Sequence, residues 1–397
     1  MLNDLRPVAL TSLVMKSFEK LVKSELLSKT GQVLDPLQFA YRANRSVEDA
    51  SLMLLNLLTK HLEGKNTHAR LLFIDFASAF NTIQPHILAR RLLEYFKLNH
   101  NLVGWLLDFL TNRTQRVKVN GSFSDVLSLS TGSPQGCVLS PLLYILYTNM
   151  CQSSHENRIF IKFADDTVIV SLLQGDESGH GPVVEDFVTW CDDSYLKLNV
   201  TKTKDMIIDF RTRPVNHVTT IIKGEAVDQV ENFKYLGIVI DSKLSFELNS
   251  KMVCKKGHQR LSCLRKLAKF HIDRRMLTLF YSAFIESVLS FSIGVWYGSL
   301  SVKNKNSLNQ IVRWASRIIG VNQRNLGCIY KKQLYRKAST VLSDLSHPLR
   351  IDFKLLPSGR RFAASRWKTR RYRNTFVPAA IEVLNNISTR EVLGFVN

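Results

Sequence analysis

The 397-residue sequence has no uninterrupted apolar run near the roughly eighteen residues that a membrane-crossing helix needs, and its stretch 102–110 is broken by Asp108. An integral membrane protein is excluded on that reading. The opening MLNDLRPVAL lacks a basic stretch followed by an apolar core, so no secretory leader is expected and the chain is expected to stay inside the cell. Six cysteines, at positions 137, 151, 191, 254, 263 and 328, form no C-x-x-C pair and no Cys/His cluster of zinc spacing. They are expected to be reduced, buried thiols. Internal repeats and long Gly/Ser or Pro linkers are also missing, so domain edges have to be read from changes of pattern.

Acidic residues are scarce in one half only. The chain carries 54 Lys and Arg against 33 Asp and Glu, yet residues 251–397 hold 28 basic and 6 acidic side chains while the first 250 hold 26 and 27. A near-neutral body joined to a strongly basic region points to a polyanion partner. Phe270, Trp296, Trp314, Trp367 and Tyr372 lie among the basic residues, which suits nucleic acid better than a lipid surface.

Periodicity predicts an amphipathic helix over 12–29, with Leu13, Phe18, Leu21, Val22 and Leu26 as its core stripe, and a second over 46–61. RLLFIDF at 70–76 reads as a buried strand, and a helix follows Pro85. Residues 158–173 are two apolar arms around an acidic tip, the pattern of a tight β-hairpin. A further strand is predicted over 234–240, and helices with basic faces from 251 onward.

Asp75 lies inside an apolar strand, and Asp165 with Asp166 between two more. A carboxylate is costly to bury unless it is paired or binds a metal. Three such acids on neighbouring strands suit hard Mg²⁺, which takes oxygen ligands, and two such ions can clamp an in-line phosphoryl displacement. Between them, STGSPQGCVLSPLL at 130–143 is a Gly/Pro loop ahead of an apolar helix, where Gln135 and glycines of close approach suit a template base pair.

The ordered set FIDFASAF (73–80), GSPQGCVLSPLLY (132–144), FADD (163–166), NVTKT (199–203) and KYLG (234–237) resembles the reverse transcriptase of LINE-type non-long-terminal-repeat retrotransposons. LRPVALTSLVMKSFEKLV (5–22) and QFAYRANRSVEDA (38–50) resemble that lineage's finger motifs. The resemblance implies catalytic roles for Asp75, Asp165, Asp166 and Lys202, with Asp75, Phe76, Asp165 and Asp166 at the metal positions. Lys202 would neutralise or protonate the leaving pyrophosphate. Phe80 would lie under the nucleotide sugar and disfavour a 2′-hydroxyl. Phe76, Gln135, Gly136 and Phe163 would meet template or incoming nucleotide, Arg42 and Arg45 would reach phosphates, and Tyr235 with Gly237 would form a primer grip. Leu5, Ala40 and Ser133 depart from the family's usual Tyr, Gly and Ala, and none of these changes removes a carboxylate.

The implied fold is α+β, a right-hand polymerase with an antiparallel-sheet palm and helices on one of its faces. Fingers are expected over 1–70 with an inserted piece at 96–125, palm over 71–245, helical thumb over 246–330 and a basic C-terminal region over 331–397. The implied activity is RNA-directed DNA polymerisation, with two Mg²⁺ ions, Mn²⁺ as a substitute, and an RNA template, DNA primer, RNA/DNA hybrid and dNTPs as partners. No membrane partner is expected. The motifs begin so near Met1 that a truncated copy without the lineage's endonuclease is expected. The rival reading is an inactive relic that only binds nucleic acid; a group II intron type enzyme and a basic interaction protein without chemistry are weaker alternatives.

Overall fold

The computed structural model describes residues 8–175, 179–212, 217–364 and 366–386, so residues 5–7 of the first finger motif lie outside it. Helix α1 (Leu13–Thr30) starts at Ser12, whose hydroxyl accepts the Met15 N–H at 3.2 Å. Its buried line is Glu19, Val22, Leu26 and Thr30. Leu13 and Leu21 of the expected stripe are exposed, and Phe18 instead meets Trp105 edge-on, because α1 lies at the margin of the molecule and turns one narrow edge inward. Helix α2 (Val47–His61) buries Leu52, Leu55 and Leu58 as its spacing predicts.

Strand β1 (Thr67–Ile74) follows, then α3 (Pro85–Glu94), α4 (His100–Leu110) and α5 (Ser140–Tyr147), the hairpin β2 (Arg158–Phe163) and β3 (Asp166–Gln174), α6 (His180–Asp193), β4 (Lys204–Asp209) and β5 (Asp228–Gln229). The sheet order is β5-β4-β1-β3-β2. Every pairing is antiparallel except β5 with β4, which is parallel at the edge. All eight residues of β1 are buried, since each face of the sheet is covered. Leu72, Ile74, Phe160 and Ile169 pack under α3, α5 and α6. Leu71, Phe73, Val168, Val170, Met206 and Ile208 point the other way, toward α2 and the helical second half. The expectation of helices on one face is thereby corrected.

The strand expected over 234–240 is a hairpin, β6 (Asn232–Tyr235) and β7 (Ile238–Asp241). Leu236 and Gly237 turn between them at φ +46° and +87°. A Cβ on Gly237 would sit 3.0 Å from the Phe291 ring, so the turn needs glycine twice over.

Helix α7 (Glu247–Lys269) leads through a turn into α8 (Arg274–Phe280), which continues through a π-turn at Tyr281–Glu286. The run 274–296 is long and apolar enough by composition to cross a membrane, a length hidden from the sequence by Arg274, Arg275 and Glu286. Its residues Leu277, Tyr281, Ile285, Leu289 and Ile293 are buried in the core that also holds Leu261, Leu264 and Ile311. Helices α9 (Val302–Ile319), α10 (Leu326–Ser343) and α11 (Phe376–Asn385) are the longer helices of the described C-terminal part.

The segment after α10 returns to α2. Asp352 pairs with Lys60 and accepts from Asn56, both at 2.7 Å, and Thr369 N–H donates to Glu63 at 3.2 Å. Asp49, fully buried on α2, meets Lys337 at 2.9 Å and His347 at 3.2 Å. Much of the basic region is therefore packed against the first helices. The cysteines divide: Cys137, Cys151 and Cys191 are buried as expected, whereas Cys263 and Cys328 are exposed on helical surfaces.

Candidate active site

The chain leaves β1 at Asp75, whose main-chain N–H donates to Thr203 Oγ1 at 3.3 Å and whose carbonyl accepts the Asn199 N–H at 2.9 Å. The 199–203 turn is thus clamped to the end of the strand. Burial pushes the Asp75 carboxyl above its usual range, against the pull of Lys202, and the charge of Asp165 adds to the rise; the Asn199 side chain bonds to the carboxylate and opposes it. Asp75, Asp165, Lys202 and Asn199 are therefore one electrostatic group. Phe76 bridges to Leu198.

In the β2–β3 hairpin, Phe163 pairs with Asp166 and leaves Ala164 and Asp165 as a two-residue turn. Ala164 sits at φ +58°, and its N–H donates to Gln38 Oε1 at 3.1 Å. The same oxygen accepts the Ala40 N–H at 3.0 Å, and the main chain of Leu37 and Phe39 exchanges hydrogen bonds with Lys162, each 2.9 Å. Lys162 is buried; its ammonium pairs with Asp35 at 2.7 Å and donates to the carbonyls of Thr148 and Cys151 at 3.0 and 2.7 Å. The acidic turn is held from behind by residues 35–40.

The Gly/Pro loop lies over the 78–83 segment. Gly132 donates its N–H to the Ile83 carbonyl at 2.7 Å, and a Cβ there would meet the Asn81 main chain at 2.8 Å. Gln135 Nε2 donates to Asn81 Oδ1 at 3.1 Å, while the Gln135 carbonyl accepts the Ala9 N–H at 2.6 Å. Gly136, at φ +96°, is crowded by Val8 and Ala9. Phe80 stacks on Tyr144 of α5 at 4.7 Å, and its carbonyl accepts the Ser133 N–H at 2.9 Å. Buried Glu19 of α1 accepts the N–H groups of Val138 and Leu139 at 2.7 and 2.9 Å, where α5 begins. The charge of Asp165 reaches the buried Tyr144 hydroxyl and adds to the burial that raises its pKa.

Not every expected residue joins this group. Asp166 is exposed on the side of the turn where its charge acts on the buried Tyr235 hydroxyl, whose pKa burial also raises. Tyr235 packs on Phe73 beneath the sheet, 5.6 Å between ring centroids. Arg45 does not reach the site: its side chain is 1% exposed, paired with Asp344 at 3.1 Å, because the region after α10 supplies the carboxylate that offsets its burial. Arg42 donates to the Asp35 carbonyl at 2.6 Å and stays half-buried. Lys202 is exposed beside Asp75. Gln38, Asn199, Thr203 and Glu19 are the residues that sequence reasoning passed over, although all four lie inside motifs it quoted.

The donor set at the tip is oxygen alone. Two carboxylates, Asp75 and Asp165, repel one another there, which a hard cation would relieve. Among the described residues no group of three His, Cys, Asp or Glu side chains is gathered for a metal.

Residues 2–240 match the family described as reverse transcriptase (RNA-dependent DNA polymerase). The chain belongs to that family. Its fold is α+β, a mixture of helices and sheets. A short second match, to the N-terminal part of alkylated DNA repair protein alkB homolog 8, covers residues 246–287. The probable RNA-directed DNA polymerase from transposon BS of Drosophila melanogaster is 26% identical over 333 residues, 79% of this chain and 36% of the relative. The RNA-directed DNA polymerase from mobile element jockey of Drosophila funebris is 22% identical over 400 residues, 93% of this chain and 42% of the relative. The chain thus spans less than half the length of these relatives. A structure of apo telomerase from Candida tropicalis has a TM-score of 0.43 at 14% identity, covering 93% of this chain and 56% of that one.

Proposed function

We propose that this reverse transcriptase chain is an RNA-directed DNA polymerase that adds dNTPs to a primer 3′-hydroxyl on an RNA template. The observation that carries the reading is the convergence of Asp75 and Asp165, from two neighbouring strands, with Lys202 beside them. In this reading Asp75, Asp165, Asp166 and the Phe76 main-chain carbonyl would hold Mg²⁺, or Mn²⁺ in its place. The chemistry such ions supply when bound is activation of the primer hydroxyl and neutralisation of charge on the transferring phosphoryl group.

The chain's own residues would do the rest. Asn199 and Thr203 keep Asp75 at the end of β1, and Gln38 keeps the Asp165 turn in its left-handed conformation. Lys202 offers a positive charge to the leaving pyrophosphate. Phe80, propped by Tyr144, floors the sugar site, and Gln135, Gly136 and Phe163 border template and nucleotide. Arg42 faces the phosphates from 37–45, while Tyr235 and Gly237 support the primer end. Fingers at 1–70 and 96–125, palm at 71–245, thumb at 246–330 and a C-terminal region from 331 are the corresponding divisions. Exposed Phe270, Met276 and Leu279 among Lys266, Lys269 and Arg275 give the thumb tip an apolar and basic surface for the minor-groove side of a hybrid.

Primer extension on an RNA template with Mg²⁺ and dNTPs tests this, run beside Asp165→Ala/Asp166→Ala. Extension by the parent and none by the variant is the expected result. Failure of both, with equal salt-sensitive binding to the hybrid, would leave nucleic-acid binding as the function.

A further inference from the structure

A cleft in the described structure lies outside the site above. It encloses about 830 Å³ between α9, the 320–325 loop and the start of α10, and its lining comes entirely from residues 297–327. We propose that this cleft is a second nucleic-acid site, which takes a single-stranded phosphodiester chain independently of the polymerase centre.

The charge is the first argument. From Val302 to Ser343 the chain has nine Lys and Arg and no Asp or Glu. Arg313 and Arg317 project into the cleft one helical turn apart, roughly 6 Å along the axis. Arg274 approaches the same rim, its guanidinium 3.7 Å from where a Gly320 Cβ would stand. Arginine–carboxylate pairs among the described residues are made by Arg45, Arg70 and Arg211, and none by these three. Unneutralised guanidiniums around a concave surface are a ready partner for successive phosphates.

The walls are the second argument. Asn309 Oδ1 accepts the Leu326 N–H at 2.9 Å and Asn325 Oδ1 accepts the Cys328 N–H at 2.8 Å, so the loop is tied to both helices and the cleft is preformed. Asn306 and Asn322 present exposed amides on the same lining, donors and acceptors suited to base edges. A volume of this size holds a nucleotide or two rather than the face of a duplex, which favours a single strand.

The test compares the full chain with Arg313→Ala/Arg317→Ala and, as a charge-matched control, Lys331→Ala/Lys332→Ala on the exposed face of α10. Binding of labelled single-stranded RNA, single-stranded DNA and RNA/DNA hybrid is measured across a salt series, with thermal melting to verify folding and extension of a pre-annealed hybrid at saturation as a separate readout. The arginine variant is expected to lose at least about tenfold in single-strand affinity and about 1.4 in salt slope, two contacts at about 0.7 each, with saturated extension within about twofold of the parent. Loss on RNA, on DNA or on both supports the site and names its strand. Equal loss in the lysine control would overturn it, because binding would then be diffuse. Parallel loss of saturated extension would also overturn it, by making the cleft part of the polymerase track. If the parent extends nothing, the polymerase reading fails while the single-strand arm still decides the cleft.

Discussion

One oxygen of the Glu19 carboxylate accepts the Leu139 N–H at 2.9 Å, so a helix near the amino terminus caps the helix that follows the PQG loop. Glu19→Ala would leave that N–H, and the neighbouring one of Val138, without a partner in a buried place. The expected cost is about 1–3 kcal/mol of stability, read as a lower melting temperature, together with a KM for dNTP that rises more than kcat falls. Glu19→Gln keeps an acceptor and is expected to behave nearer the parent. A Gln variant as damaged as Ala would show that the charge, and not the cap, matters.

Phe80 stacks on Tyr144, and the proposed sugar floor depends on that ring. Phe80→Ala is expected to admit ribonucleotides, lowering the dNTP/rNTP ratio of kcat/KM by about tenfold or more, equivalent to roughly 1.4 kcal/mol of lost discrimination. Single-nucleotide incorporation kinetics with dCTP and CTP measure it directly. An unchanged ratio would remove Phe80 from the sugar site.

Lys162 and Asp35 form a buried ion pair behind the catalytic hairpin. Lys162→Met strands the Asp35 carboxylate and is expected to cost about 3–5 kcal/mol, seen as a lower urea midpoint. Adding Asp35→Asn should recover part of that loss. A double variant no better than the single one would contradict the pairing as the source of the effect.

His180 is buried, with Nδ1 2.8 Å from Ser171 Oγ, and burial lowers its pKa to about 4. An unfolded histidine titrates near 6.5, so between these values the unfolded chain binds more protons than the folded one. Its contribution is complete above about pH 6.5 and is lost as the pH falls toward 4, up to about 3 kcal/mol. Urea unfolding at pH 7, 6 and 5 should show a steeper decline for the parent than for His180→Asn. Parallel declines would place the titration elsewhere.

Much of this was legible in the chain itself. The stripe of α2, the continuous apolar β1 and the two arms around Asp165 and Asp166 each bury what their periods predict, because local pattern and tertiary packing agree there. KYLGIVI misled because buried Tyr235 and the apolar, buried β7 read together as one run, and only the Gly237 turn beside Phe291 divides it. α1 misled in orientation, since a helix with apolar residues on several sides does not announce which edge finds a neighbour. Arg45 was beyond reach for another reason: its carboxylate partner, Asp344, lies about three hundred positions along the chain, where no window can connect them. The acids of the site could be found as misplaced charges in apolar strands. Gln38 and Glu19, ordinary polar residues by sequence, acquire meaning only from the main-chain groups they satisfy.

The return of residues 344–385 to α2 has a consequence for how the protein is made. A nascent chain emerging from the ribosome would expose Asp49, Lys60 and Glu63 for the synthesis of nearly three hundred further residues before Lys337, His347, Asp352 and Thr369 arrive to complete that surface. Closure over such a separation is slow and late. The sheet and its motifs can therefore be assembled early, while the finished α2 surface waits for the last helices, and that waiting interval is when a chaperone would find the chain.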